Sequence, residues 1–153
     1  MKEYLFLNKE IDNRYYPTKN NMTSNLWDLN NYYFNDCKYF DNSLFINDQS
    51  HYNETIIVND LKNKNLYITT KDFEIEKHIP DDERLERTNE FNSCKISYDN
   101  FIEFRAKWLT IKKALPPFAI IYRDDNDWVH CKGFDSQEEM ELFVKNYQGK
   151  IIH

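Results

Sequence analysis

Residues 118–134 read FAIIYRDDNDWVHCKGF. The runs FAIIYR and WVHCKGF are rich in β-branched and aromatic residues, which suit a pleated, partly buried strand. Between them lie Asp124, Asp125, Asn126 and Asp127, residue types that favour turns. The stretch therefore predicts an antiparallel hairpin with a carboxylate-rich tip. A four-residue loop sets Arg123 opposite Trp128, Tyr122 opposite Val129 and Ile120 opposite Cys131. Side chains alternate along a strand, so Phe118, Ile120, Tyr122, Val129 and Cys131 form the expected core face. Ala119, Ile121, Arg123, Trp128, His130 and Lys132 form an accessible face, with Arg123 over the Trp128 ring for roughly 0.5–1 kcal/mol.

Working outward, Ser97 to Leu115 predicts the strongest helix. Phe101, Phe104, Trp108, Ile111 and Leu115 recur at helical spacing as one apolar stripe. Ser97 or Asp99 caps its start, Lys112 and Lys113 suit its last turn, and Pro116-Pro117 ends it. After the hairpin, Asp135 or Ser136 caps a second helix, with Glu138 or Glu139 completing a capping box. Gly149 is read as its stop, before a short final strand, KIIH. Upstream, EYLFLN (Glu3 to Asn8) and SLFIN (Ser43 to Asn47) predict strands. ETIIVND and LYITT predict a hairpin around LKNKN, and the alternation in KDFEIEKHI predicts a strand ended by Pro80. DNRYYPTKNNMTSN reads as a loop, followed by a short helix from Ser24 or Asn25 that aligns Leu26, Leu29 and Tyr33. DDERLERTNE reads as a solvated loop or helical turn. The expected class is α+β: helices packed on one face of a mainly antiparallel sheet, in a single domain spanning residues 1–153.

The net charge is −6. Nucleic-acid binders need a basic footprint, so a basic protein partner suits this chain better. The three cysteines, Cys37, Cys94 and Cys131, are widely spaced, which fits a reducing cytosol better than a disulfide framework. The start shows no secretory h-region, and no apolar run approaches a membrane span. With only two glycines, Gly133 and Gly149, the dinucleotide, P-loop and nucleophile-elbow motifs are excluded.

Catalytic readings are weak. His130 and Cys131 are adjacent in a strand and point to opposite faces, so they cannot converge on one ion or proton. Asp124 to Asp127 lack the alternation and glycine of a calcium loop. A small enzyme would need a site assembled around the accessible hairpin face, from Trp128, His130 and Lys132 with a distant carboxylate. No cofactor or metal is expected.

In size, acidity, aromatic richness, an Asn/Lys/Ile/Tyr-rich composition and the lack of a catalytic motif, the chain resembles immunity proteins of contact-dependent growth inhibition and related polymorphic toxin systems. The resemblance lies in overall character and transfers no residue. It implies a cytoplasmic inhibitor of one cognate toxin, expected to be a nuclease, with carboxylates standing in for phosphate in a cationic site; a monomer is expected rather than an oligomer. On that basis the expected contact residues are Asp124, Asp125, Asp127, Trp128 and Arg123. A second acidic patch comprises Asp81, Asp82, Glu83 and Glu86.

Overall fold

Strand β1, Glu3–Lys9, and strand β2, Tyr15–Pro17, open the chain. The computed structural model describes residues 1–18, 25–31, 42–51, 55–70 and 78–152. Helix α1 is Leu26–Asn31, and a 3-10 turn at Asn42–Phe45 follows. Strands β3 (Gln49–His51), β4 (Thr55–Asp60) and β5 (Asn65–Thr70) come next. A 3-10 turn at Asp81–Glu83 leads into the single turn of α2, Arg84–Arg87. Then come β6 (Cys94–Ser97), α3 (Tyr98–Ala114), β7 (Phe118–Arg123), β8 (Val129–Phe134) and α4 (Gln137–Ile152).

The strands form two antiparallel four-stranded sheets, in the orders β2-β1-β7-β8 and β3-β4-β5-β6. The class is therefore α+β. Contacts divide the chain into two compact units. The first joins residues 1–24 to residues 100–153, and the second is the intervening segment, residues 25–99.

In the first unit, β1 pairs with β7 so that Leu5 meets Ile121 and Leu7 meets Ala119. These four are fully buried. Tyr15 lies on the same face of β2 and packs edge-on against Trp108 of α3, at 5.6 Å between ring centroids. The stripe Phe101, Phe104, Trp108 and Ile111 is buried as expected. The opposite face carries Tyr4, Phe6, Ile120, Tyr122 and Phe134, which pack with Met140, Phe143 and Val144 of α4. The expected single helix-covered face is thus joined by a second. Because both faces are covered, Ala119, Ile120 and Ile121 are buried in succession.

In the second unit, Ile56, Ile57 and Val58 of β4 are also buried in succession. The expected hairpin forms, with Thr55 opposite Thr70 and Asp60 opposite Asn65. Asn59 is 3% exposed and organises this unit. Its Nδ2 donates to the Leu44 and Asn47 carbonyls at 3.0 and 3.1 Å, and its Oδ1 accepts from the Tyr98 hydroxyl.

Several expectations are corrected. SLFIN is not a strand: Asn42–Phe45 winds into a 3-10 turn, and Asn47 follows it as loop. The polar segment after β1 contains β2, a short edge strand held to Leu7, Asn8 and Lys9, with Pro17 at its end, where a missing N–H is tolerated. The final strand KIIH is replaced by continuation of α4 through Gly149 to Ile152. One glycine weakens a helix by about 1 kcal/mol and does not oblige it to stop. Tyr33 and the run 71–77 lie outside the described residues.

Candidate functional site

The hairpin register departs from expectation by one residue. Arg123 pairs with Val129, Tyr122 with His130, Ile121 with Cys131 and Ile120 with Lys132. The loop is therefore Asp124 to Trp128, five residues rather than four. The Asp124 carbonyl accepts from Asp127 N–H, and Asp127 takes a left-handed φ of 66°. A turn followed by one left-handed residue is a standard bulged hairpin loop. The extra residue moves Val129 and Cys131 onto the face of Ala119, Ile121 and Arg123. It sends His130, Lys132 and Phe134 to the α4 face.

Asp124 is the tie of the turn rather than a free carboxylate. Its Oδ1 accepts from the N–H groups of Asn126 and Trp128 at 2.8 and 3.0 Å, and its Oδ2 meets His130 Nε2 at 2.8 Å. Burial works to raise its pKa. The hydrogen bonds from His130, Trp128 and Asn126 outweigh burial and hold the carboxyl below its ordinary 3.8. A carboxyl depressed in the folded state adds stability that is complete above the unfolded value and is lost as pH falls through the folded one. Asp124→Asn is therefore expected to flatten the acid limb of the stability profile below about pH 4. Urea unfolding midpoints of both proteins between pH 2 and pH 6 test this, and parallel acid limbs would contradict it.

The other tip residues point outward with nearby cations. Asp125 accepts from the Met1 amino group at 2.8 Å, and Asp127 from Lys2 Nζ at 2.7 Å. The side chains of Asp125 and Asp127 nonetheless remain 59% and 68% exposed. Arg123, expected over Trp128, instead donates from Nε to Glu3 at 2.8 Å and from Nη1 to the Asp127 carbonyl at 3.0 Å. Trp128 is half-buried, and its Nε1 donates to Glu103 of α3. Behind the tip, the carboxamide of Asn100, 1% exposed, donates to the Val129 carbonyl and accepts from the Val129 N–H, both at 2.8 Å. Sequence reasoning missed Asn100 and the N-terminal cations. Only the β1–β7 pairing brings Met1 and Lys2 to this end of the sheet.

The second expected patch, Asp81, Asp82, Glu83 and Glu86, belongs to the other unit. There Asp81 pairs with Arg84 at 3.2 Å and Glu83 with Arg87 at 2.6 Å, while Asp82 and Glu86 are exposed.

The residues of the enzyme alternative do not converge. His130 is held by Asp124 and stacks on Tyr122, with 4.9 Å between centroids. Lys132 lies over Phe134 and Phe143, and Trp128 faces Glu103. Burial pushes the Cys131 thiol up to about 12, so it is inert as a nucleophile at neutral pH. Among the described residues, no three His, Cys, Asp or Glu side chains group as metal ligands, and no helix is long and apolar enough to cross a membrane. No protein-family model, curated protein or solved structure matches the chain.

Proposed function

We propose that this chain is a cytoplasmic binding protein that neutralises a basic toxin domain, with a nuclease as the expected class. It presents the Asp125–Trp128 tip to the toxin's cationic site. The observation that carries this is the prebuilt turn. Three hydrogen bonds to the Asp124 carboxylate and the Asn100 clamp on Val129 fix the tip's frame before any partner arrives. A surface ordered in advance loses little side-chain and loop freedom on binding. Asp125 and Asp127 supply exposed negative charge on that frame, and Trp128 supplies a half-buried aromatic edge. Their present cations are a terminal amine and one lysine, which a more concentrated positive surface can displace. The field steers encounter, and the aromatic anchors the contact.

Against a basic nuclease toxin domain, taken from any toxin gene found beside that of this chain, Asp125→Lys combined with Asp127→Lys is expected to weaken binding well beyond tenfold. The fold should hold, because both side chains are exposed and lysine adopts the left-handed backbone that residue 127 needs, as Lys64 does at φ 55°. Isothermal titration measures the first effect and thermal unfolding the second. Unchanged affinity would remove the tip as the contact site. Failure of the unaltered chain to bind that domain or to protect cells from it would remove the toxin assignment itself.

A further inference from the structure

β8 is the outer strand of its sheet, with no strand beyond it among the described residues. In an antiparallel pair, residues that bond across the ladder alternate with residues whose N–H and C=O both point away. The phase here is set by two observations. Asp124 N–H donates to the Trp128 carbonyl across the loop, and both main-chain groups of Val129 go to Asn100. Val129, Cys131 and Gly133 therefore turn their main-chain groups outward, and His130, Lys132 and Phe134 bond to β7. Asn100 supplies to Val129 one donor and one acceptor, as a neighbouring strand would. The next two outward pairs, on Cys131 and Gly133, repeat at about 7 Å along the edge, the two-residue period of an extended chain.

A groove of about 510 Å³ adjoins this edge, between the last turns of α3 and the end of β8. Thr110, Ile111, Ala114, Pro116, Gly133 and Phe134 are among its lining residues. Its size is within the roughly 300–1,000 Å³ of ligand-binding clefts. Gly133 lets Pro116 of the groove wall pack directly on β8, since a Cβ there would meet Pro116 Cγ at 2.5 Å.

We propose that the outer edge of β8 and this groove bind a short extended segment of a partner protein by strand addition. The segment's main chain pairs with Cys131 and Gly133, and an apolar side chain settles against Ile111, Ala114 and Phe134. Strand addition draws affinity from main-chain hydrogen bonds and specificity from pockets for alternate side chains. A second copy of the chain fits less well. Two β8 edges paired about Cys131 set Gly133 of one against Val129 of the other, whose outward groups Asn100 already holds.

The test pans a phage-displayed random peptide library on the full chain and resynthesises the enriched peptides. Apolar residues at alternate positions are expected. N-methylation of the amides facing β8 should abolish binding, while N-methylation of the intervening amides should leave it. Bound peptide should slow hydrogen exchange at the Cys131 and Gly133 amides. Thr110→Arg, at an exposed helical position on the groove wall, should weaken binding at least tenfold without altering thermal unfolding. The Asp125→Lys/Asp127→Lys protein should bind these peptides normally, which separates this surface from the acidic tip. No enrichment, tolerance of N-methylation at every amide, or unchanged exchange at Cys131 and Gly133 would overturn the proposal. So would self-association that the peptides compete away.

Discussion

Replacing Asn100 by alanine is expected to lower the stability of the first unit by about 3 kcal/mol, from two orphaned main-chain groups at roughly 1–3 kcal/mol each. Asn100 is buried, and its carboxamide is bonded to both the N–H and the C=O of Val129. Alanine leaves both groups facing protein, with no side chain to replace them. Asn100→Asp separates the two bonds: it keeps an acceptor for the N–H but sets a carboxylate oxygen against the Val129 carbonyl, so it should not rescue stability. Chemical denaturation measures the loss, and hydrogen exchange locates it. The Val129 amide should exchange much faster in Asn100→Ala, while the amides of β4 and β5 keep their protection. A loss under 1 kcal/mol would mean that water enters and replaces the carboxamide.

Asn59→Ala should cost the second unit a similar amount, about 3 kcal/mol on the same reasoning. Two carbonyls, of Leu44 and Asn47, lose their donor, and the Tyr98 hydroxyl loses its acceptor. The Leu44 bond is the buried one and should dominate. Tyr98→Phe, which removes only the hydroxyl, should cost about 1 kcal/mol. The threefold difference is the diagnostic, read from urea unfolding of the two variants side by side. Equal effects would show that the hydroxyl bond, rather than the paired carbonyls, holds the 3-10 turn against β4.

Periodicity made the long elements legible. The stripe from Phe101 to Ile111 defines α3, and Ser136 caps α4 with its hydroxyl accepting from Glu139 N–H. The two apolar runs of the 118–134 hairpin and of the 55–70 hairpin were equally plain. The faces of β8 were not legible, because they depend on a single left-handed residue. Asp127 adds one position to the loop and inverts every side chain after it. The short strands β2 and β3, three residues each, carry too little pattern to stand out. The roles of the polar residues were hidden for a different reason. Asn and Asp are ordinary turn residues, so Asn59 and Asn100, both buried, resemble the many asparagines at the surface. Asp124 resembles Asp125 and Asp127 in sequence, yet it ties the turn while they face solvent. Only the long-range pairing of β1 with β7 reveals that Asp125 and Asp127 have cations beside them.

That pairing also imposes an order of events on the newborn chain. Glu3 and Arg123, joined by an ion pair, are 120 residues apart in sequence, and β1 lies between β2 and β7 in its sheet. On the ribosome β1 emerges early, yet its β7 neighbour is translated only after the whole of residues 25–99. At roughly 5–20 residues per second, that delay lasts several seconds. The inserted unit can fold in that interval, whereas EYLFLNK must wait with one edge unpaired. Apolar strands left waiting in this way are exposed to wrong pairing. A pause in translation between residues 25 and 99 should therefore harm the yield of folded protein more than one of equal length after Phe134.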